Sequence, residues 1–269
     1  MLNTIYFTFS LIVNTISIPY DHGANILGSR KTPELLIPYL DFLEIDDNKI
    51  INTNNQPITN ILWDGYKSIK KTLDDNKFPL TIGGDHTIAI SSVNAVNDFC
   101  LEQNKKLGVL WCDAHADFNT IKTSPSKNLH GMPIAVLCGH TLPTLACGKS
   151  LDTSQFGYYG VRDIDSLELF RFQEYNMSLL DTELDIDLWL KNFDYIHVSF
   201  DIDCLDPSET QCVNTPVDNG KSIDEMKNLF QKIKMTNKLI SLDIVEYNFD
   251  KGNDHSIIVE ILDIVKQLF

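Results

Sequence analysis

Short apolar runs with strand spacing alternate with stretches of helical spacing along nearly all of this 269-residue chain, and no other feature constrains the fold as strongly. The strand-like runs lie at 12–19, 79–83, 107–112, 155–161, 195–200 and 239–245. Between them, Ile58, Ile61, Leu62, Ile69 and Leu73 recur on one helical face. Ser222 and Glu225 form a capping box ahead of Met226, Leu229, Phe230 and Ile233, and Ile258, Ile261, Leu262, Val265 and Phe269 read as a closing helix. Parallel strands need crossovers, so the pattern predicts an α/β fold with a parallel sheet covered by helices on both faces. No repeat, low-complexity tract or linker interrupts the series, which predicts one domain over 1–269, with the polar stretch 46–55 as a surface loop.

Composition bounds the function. With 43% hydrophobic and 22% charged residues the chain can bury a sizeable core, while a net charge of -15 with no basic stripe argues against nucleic-acid binding. A cationic small molecule would be attracted instead. The six cysteines are scattered without a CxxC pair, which predicts a reducing, cytoplasmic setting. Cys112 and Cys204 adjoin aspartates, but neighbouring strand residues face opposite ways, so both read as packing. The first eighteen residues are apolar, yet the first basic residue is Arg30 and Asn3, Thr4, Ser10, Asn14 and Thr15 break the run. A buried strand is therefore expected there, with neither a signal peptide nor a membrane span.

Polar clusters at the carboxyl ends of strands are where chemistry belongs in such a sheet. The run 107–112 leads into Asp113, His115 and Asp117, spaced by two so that their side chains can converge, and 195–200 leads likewise into Asp201 and Asp203. A third run ends in GGDHT, where glycines allow a tight turn that delivers His86 at a helix start. Singly, such residues are usually caps or loop hydrogen-bonders. Together, four carboxylates and two imidazoles would repel unless cations neutralised them, and four negative charges match two divalent ions. The oxygen-rich set suits Mn2+, with other divalent transition metals open. Two adjacent ions can share a water, lower its pKa and present hydroxide to an electrophilic carbon.

These residues stand in motifs that resemble the ureohydrolase family, and within it most closely the arginases: GGDHT at 83–87, DAHADFN at 113–119, NLHGMP at 128–133 and SFDIDCLDPS at 199–208, with similarity from about Asp21 to Glu246. The resemblance implies the three-layer αβα fold with a parallel β-sheet shared by arginases and deacetylase-like proteins. It implies that His86, Asp113, Asp117 and Asp201 hold one manganese, and Asp113, His115, Asp201 and Asp203 the other. It implies a hydroxide between the ions that attacks the guanidinium carbon of L-arginine, giving L-ornithine and urea, with Asp117 bonded to that hydroxide. His130 matches the family's proton shuttle and Glu246 the glutamate that pairs with the substrate guanidinium; Asp243 would be structural support. Asn119, Ser126 and Asn128 match positions that engage the α-carboxylate, Asp165 and Glu168 those near the α-amino group, and Thr215 a further pocket residue. Agmatine lacks the carboxylate, so this set favours arginine.

The resemblance also implies a homo-oligomer, a trimer. The chain departs from the family near its amino terminus, where HGANILGSRKTPELL places Lys31 and Thr32 ahead of Pro33, and it stops soon after the closing helix, without the tail many arginases use between subunits. His22, His140, His197 and His255 match no motif and read as surface or packing residues. Three alternatives remain: agmatinase or another guanidino-compound hydrolase, a single-zinc deacetylase, and a non-catalytic relative.

Overall fold

The computed structural model describes residues 12–252 and 256–269, so His255 and most of the first eighteen residues lie outside it. Eight strands form one sheet: β1 (Ile12–Ile18), β2 (Glu44–Ile50), β3 (Phe78–Gly83), β4 (Leu107–Cys112), β5 (Phe156–Tyr159), β6 (Ser178–Leu179), β7 (Tyr195–Asp201) and β8 (Leu239–Val245). Their order is β2-β1-β3-β8-β7-β4-β5-β6, and every pairing is parallel. The helices are α1 (Thr32–Leu36), α2 (Ile58–Asp74), α3 (Ala89–Glu102), α4 (Pro133–Leu137), α5 (Ser166–Glu174), α6 (Glu183–Leu190), α7 (Ile223–Thr236) and α8 (Ile257–Lys266).

Two expectations are corrected. The stretch 46–55 is not all surface loop, because its first half belongs to β2, which pairs in parallel with β1. Glu-Ile-Asp-Asp-Asn-Lys-Ile carries no apolar alternation because this edge strand is largely exposed, and its charges protect the unpaired edge. The strand expected over 155–161 is shorter, since Gln155 closes a capping box with Asp152 and Gly160 turns away at φ 95.

Strand periodicity sorts the core into two layers. On β4 and β7, Leu110, Cys112, Ile196, Val198 and Phe200 face one side and meet Trp189, Met226, Phe230, Ile261 and Val265 of α6, α7 and α8. Val109 and Trp111 face the other side with Ile69, Val93, Val96 and Phe172 of α2, α3 and α5. The cysteine next to each metal-ligand candidate therefore packs away from it: Cys112 and Cys204 are fully buried, and burial pushes both thiols far above their ordinary range. Beneath the second layer runs a buried polar strip, in which Asp243 accepts from Ser92 Oγ and faces His197 Nε2 at 3.2 Å, while His197 Nδ1 pairs with Ser241 Oγ at 2.6 Å.

The topology positions the site. The chain lays β1, β2 and β3 on one half of the sheet and β4, β5 and β6 on the other, then returns with β7 and β8 to fill the middle. Connections after β3 and β4 thus diverge, opening a crevice at the carboxyl ends of the four central strands. Among the described residues, no helix is long and apolar enough to cross a membrane. Leu242 of β8 is fully buried in the first layer, so Leu242→Ala should lower unfolding free energy by about 2–5 kcal/mol in denaturant titrations; a loss under about 1 kcal/mol would contradict this packing.

Candidate metal centre

Each ligand candidate is delivered by a local device. After β3, Gly84 runs against the Tyr20 carbonyl so closely that a Cβ would lie 2.0 Å from its oxygen. Asp85 then caps a tight turn by accepting the Thr87 N–H at 3.0 Å, and His86 is the first residue of that turn. After β4, Asp113 Oδ1 accepts the His115 N–H at 2.7 Å, and the chain reaches Asp117 in the left-handed region at φ 48. At the end of β7, Asp201 Oδ1 accepts the Asp203 N–H at 2.7 Å and caps the turn Ile202–Cys204. After β8, Glu246 also adopts positive φ, 64. Non-glycine residues hold this conformation at a cost that surrounding structure must offset, and such positions gather at functional sites.

The six side chains converge. His86 Nδ1 lies 2.9 Å from Asp113 Oδ2, 3.2 Å from Asp117 Oδ2 and 3.2 Å from Asp201 Oδ2, yet it makes no hydrogen bond within the described residues. Three oxygens facing one nitrogen without hydrogen-bond geometry is what a shared central cation would organise. His115 Nδ1 lies 3.1 Å from Asp203 Oδ2 and 3.4 Å from Asp113 Oδ1. Two groups able to hold a metal result, His86–Asp113–Asp117 and Asp113–His115–Asp203, and they share Asp113. Asp201 joins the first through Oδ2. These residues fit a pair of oxygen-preferring divalent ions.

Electrostatics point the same way. Burial and then the neighbouring Asp113 charge push the Asp117 carboxyl up to about 6, and burial with Asp203 and Asp113 pushes Asp201 well above the carboxylate range. For Asp113 burial works upward too, but the His115 and His86 contacts outweigh it and hold the group low. Burial opposes charge on His86 and His115, yet the carboxylates around them prevail and raise both far above an ordinary histidine.

A cleft of about 140 Å³ opens over His115, Asp117, Asp201 and Asp203, and of the remaining sequence-predicted residues Asn119, Ser126, His130, Asp165, Glu168 and Thr215 line it while Asn128 does not. Asn119 Nδ2 donates to Asp165 Oδ2 at 3.0 Å, Ser126 Oγ accepts the Asn128 N–H at 3.2 Å, and Thr215 Oγ1 donates to Asp203 Oδ2 at 3.0 Å. Glu168 accepts the Phe118 N–H at 2.7 Å, and burial followed by the Asp117 charge raises it to about 8. Glu246 lies deeper: Oε1 accepts from the His86 N–H at 3.0 Å and faces His130 Nδ1 at 2.9 Å, while buried Oε2 has no partner among the described residues. Burial disfavours charge on His130, but Glu246 outweighs it and holds the imidazolium up to about 9.

Sequence reasoning missed several supporting residues. Trp111 donates to Asp113 Oδ2 at 2.9 Å and stacks on His86 at 4.0 Å, and Ser199 Oγ pairs with His86 Nε2 at 2.9 Å. Each stands two positions before an aspartate on the same strand face, a signal the period of two contains. Arg171, over the Phe118 ring at 4.6 Å and bonded to His140 at 2.9 Å, carried no such signal. Of the unmatched histidines, His197 is buried, His140 half-buried and His22 exposed.

Two outcomes follow from the charges. Cations must displace protons from His86, His115, Asp117 and Asp201, so divalent-metal affinity should rise with pH through the neutral range. Calorimetry in buffers of different ionisation enthalpy should show net proton release, and none released at pH 7 would contradict this charge state. Glu246→Gln removes the charge that favours His130 protonation, so NMR titration of the metal-free protein should find His130 moved from about 9 towards its usual 6.5.

Comparisons agree with this geometry. A family model described as "Arginase family" matches residues 16–265. An arginase of Staphylococcus aureus is 34% identical over 275 residues, covering 88% of this chain and 89% of that protein. An arginase of Saccharomyces cerevisiae is 35% identical over 207 residues, covering 69% of this chain and 61% of its own length, so that match spans less than two thirds of the yeast protein. Among solved structures, an Entamoeba histolytica arginase in complex with L-ornithine superposes with a TM-score of 0.87 at 28% identity, over 96% of this chain and 98% of that one. By its matched length, its sheet and its paired His–carboxylate groups, the chain belongs to the arginase family.

Proposed function

We propose that this chain hydrolyses the guanidinium group of L-arginine to L-ornithine and urea, as one catalytic domain over 1–269. The observation that carries the proposal is the pair of overlapping His–carboxylate groups sharing Asp113 at the floor of a cleft lined by acids. A single-zinc hydrolase needs one group and fewer carboxylates. The relatives named arginase and the L-ornithine bound in the Entamoeba histolytica structure support the same substrate class.

His86, Asp113, Asp117 and Asp201 would hold one divalent ion and Asp113, His115, Asp201 and Asp203 the other, with Mn2+ best suited to the donors. Bound there, the pair would supply Lewis acidity and a water made nucleophilic near neutral pH. The chain's own groups do the rest. Carboxylates around the cleft draw in a cationic substrate. Glu246 Oε2, buried and free to accept, pairs with a guanidinium N–H. Asn119, Ser126 and Asn128 receive the α-carboxylate, Asp165 and Glu168 the α-amino group, and Thr215 shapes the wall. His130, fixed at Nδ1 by Glu246, has Nε2 beside the Asn128 amide at 3.5 Å and is placed to pass a proton to the departing amine. A cytoplasmic homo-oligomer, a trimer, belongs to the same reading.

Urea release from arginine and agmatine by the manganese-loaded chain tests it: arginine should lead by at least about a hundredfold in kcat/KM, and faster release from agmatine would reverse the substrate assignment. Asp201→Ala should abolish turnover. His130→Ala should slow it by about 10²–10⁴-fold with metal content nearly intact; unchanged turnover in Asp201→Ala would refute the mechanism.

A further inference from the structure

Arg162, on the loop after β5, forms no ion pair among the described residues. Its guanidinium is directed wholly at backbone carbonyls. Nη1 donates to Gly160 at 2.9 Å and Cys204 at 3.3 Å; Nη2 donates to Val217 at 2.7 Å, Asp203 at 2.9 Å and Leu205 at 3.3 Å; Nε donates to Val217 and Asp218, both at 3.2 Å. Its own N–H and that of Asp163 donate to the Ala114 carbonyl at 2.9 and 3.0 Å. One side chain therefore ties together the loops that follow β5 and β7 and the segment carrying Thr215, while its backbone anchors the loop after β4.

Those segments decide where the Asp203 carboxylate points. Its Oδ1 accepts the Ala114 N–H at 3.1 Å, and its Oδ2 accepts from Thr215 Oγ1 at 3.0 Å while facing His115 Nδ1 at 3.1 Å. By contrast, the His86–Asp113–Asp117 group is supported from β4, from within β7 and from the end of β8 through Trp111, Ser199 and Glu246, none of which hydrogen-bonds Arg162. We infer that Arg162 is a positioning residue for one half of the centre, setting Asp203 and Thr215 in register so that the Asp113–His115–Asp203 group is preorganised for its ion. The fork geometry is what matters, because five planar donors can hold carbonyls from three segments at once, whereas a lysine ammonium is a compact charge with three donors. The fork and the loop after β7 both pack against Gly220, where a Cβ would lie 2.5 Å from the Asp206 backbone N and 2.6 Å from both Arg162 Nη2 and the Leu205 carbonyl carbon.

The inference rests on the two-ion reading above, and the test separates the two. Manganese is titrated into the metal-free full chain by calorimetry, and bound metal is counted per chain after gel filtration at limiting manganese. The wild type should hold two ions. Arg162→Lys should keep one at wild-type affinity and bind the other about ten- to a hundredfold more weakly, the range typical when an outer partner of a metal ligand is lost. Its kcat should fall at limiting manganese and recover with excess metal, at unchanged KM. Equal weakening of both ions together with a lower Tm, or no change in either ion, would overturn the inference. Should Arg162→Lys fail to fold, Arg162→Gln, which keeps amide donors but no fork, should weaken one ion selectively; two unaltered ions in it would also overturn the inference. A wild type that bound no divalent cation would sink the metal centre itself, whereas two equal ions in wild type and variant would sink this inference alone.

Discussion

Asp113, Asp117, Asp201 and Asp203 are each no more than 6% exposed, and they stand at neighbouring strand ends where their negative charges repel across an interior that screens poorly. A protein without cations can relieve that strain only by taking up protons, which is the state the raised Asp117, Asp201, His86 and His115 groups describe. Divalent ions relieve it in another way, by replacing shared protons with ligand bonds. Much of the surrounding structure holds this repulsive group together in a form that could receive a metal.

The scaffold does so with short-range devices. The turn capped by Asp85, the Asp201 cap on the Asp203 N–H and the positive φ values of Asp117 and Glu246 fix the backbone at each ligand. Behind them, Trp111, Ser199 and Glu246 orient His86, while Ala114, Thr215 and the Arg162 fork set Asp203. Both halves are suspended from central strands buried on two faces, so little freedom remains. Rigid support of this kind is what a site requires when ligands must lie within about 0.5 Å of a working geometry.

The proposed function couples to that support through Glu246. Its carboxylate accepts from the His86 backbone, holds His130 in its charged form and leaves one buried oxygen unpaired. One residue thus links a ligand-bearing turn, a proton-carrying ring and the place where a guanidinium would pair. The cleft beyond it has polar groups already engaged with each other, as Asn119 with Asp165, so the proposed substrate would have to exchange existing hydrogen bonds there.

The layered fold and the ligand candidates were legible because both rest on local periodicity. The period of two carries Asp113 and Asp201, at the ends of β4 and β7, to one side and Cys112 to the other, and glycines before His86 announce a tight turn; Asp117 and Asp203 lie past the strand ends and are aimed by a left-handed backbone and a capped turn. The edge strand β2 was illegible, since an exposed polar strand buries nothing that would print a pattern. Arg162 and Arg171 were illegible for a different reason: their partners are backbone carbonyls and rings brought close by loops distant in sequence. The sequence by itself determined which residues can face a common centre, because side-chain direction follows from the repeat of the strand. Tertiary structure alone decided that Asp113 is shared, that Glu246 reaches both His86 and His130, and that Arg162 braces one half, because the return of β7 and β8 into the middle of the sheet creates those neighbours.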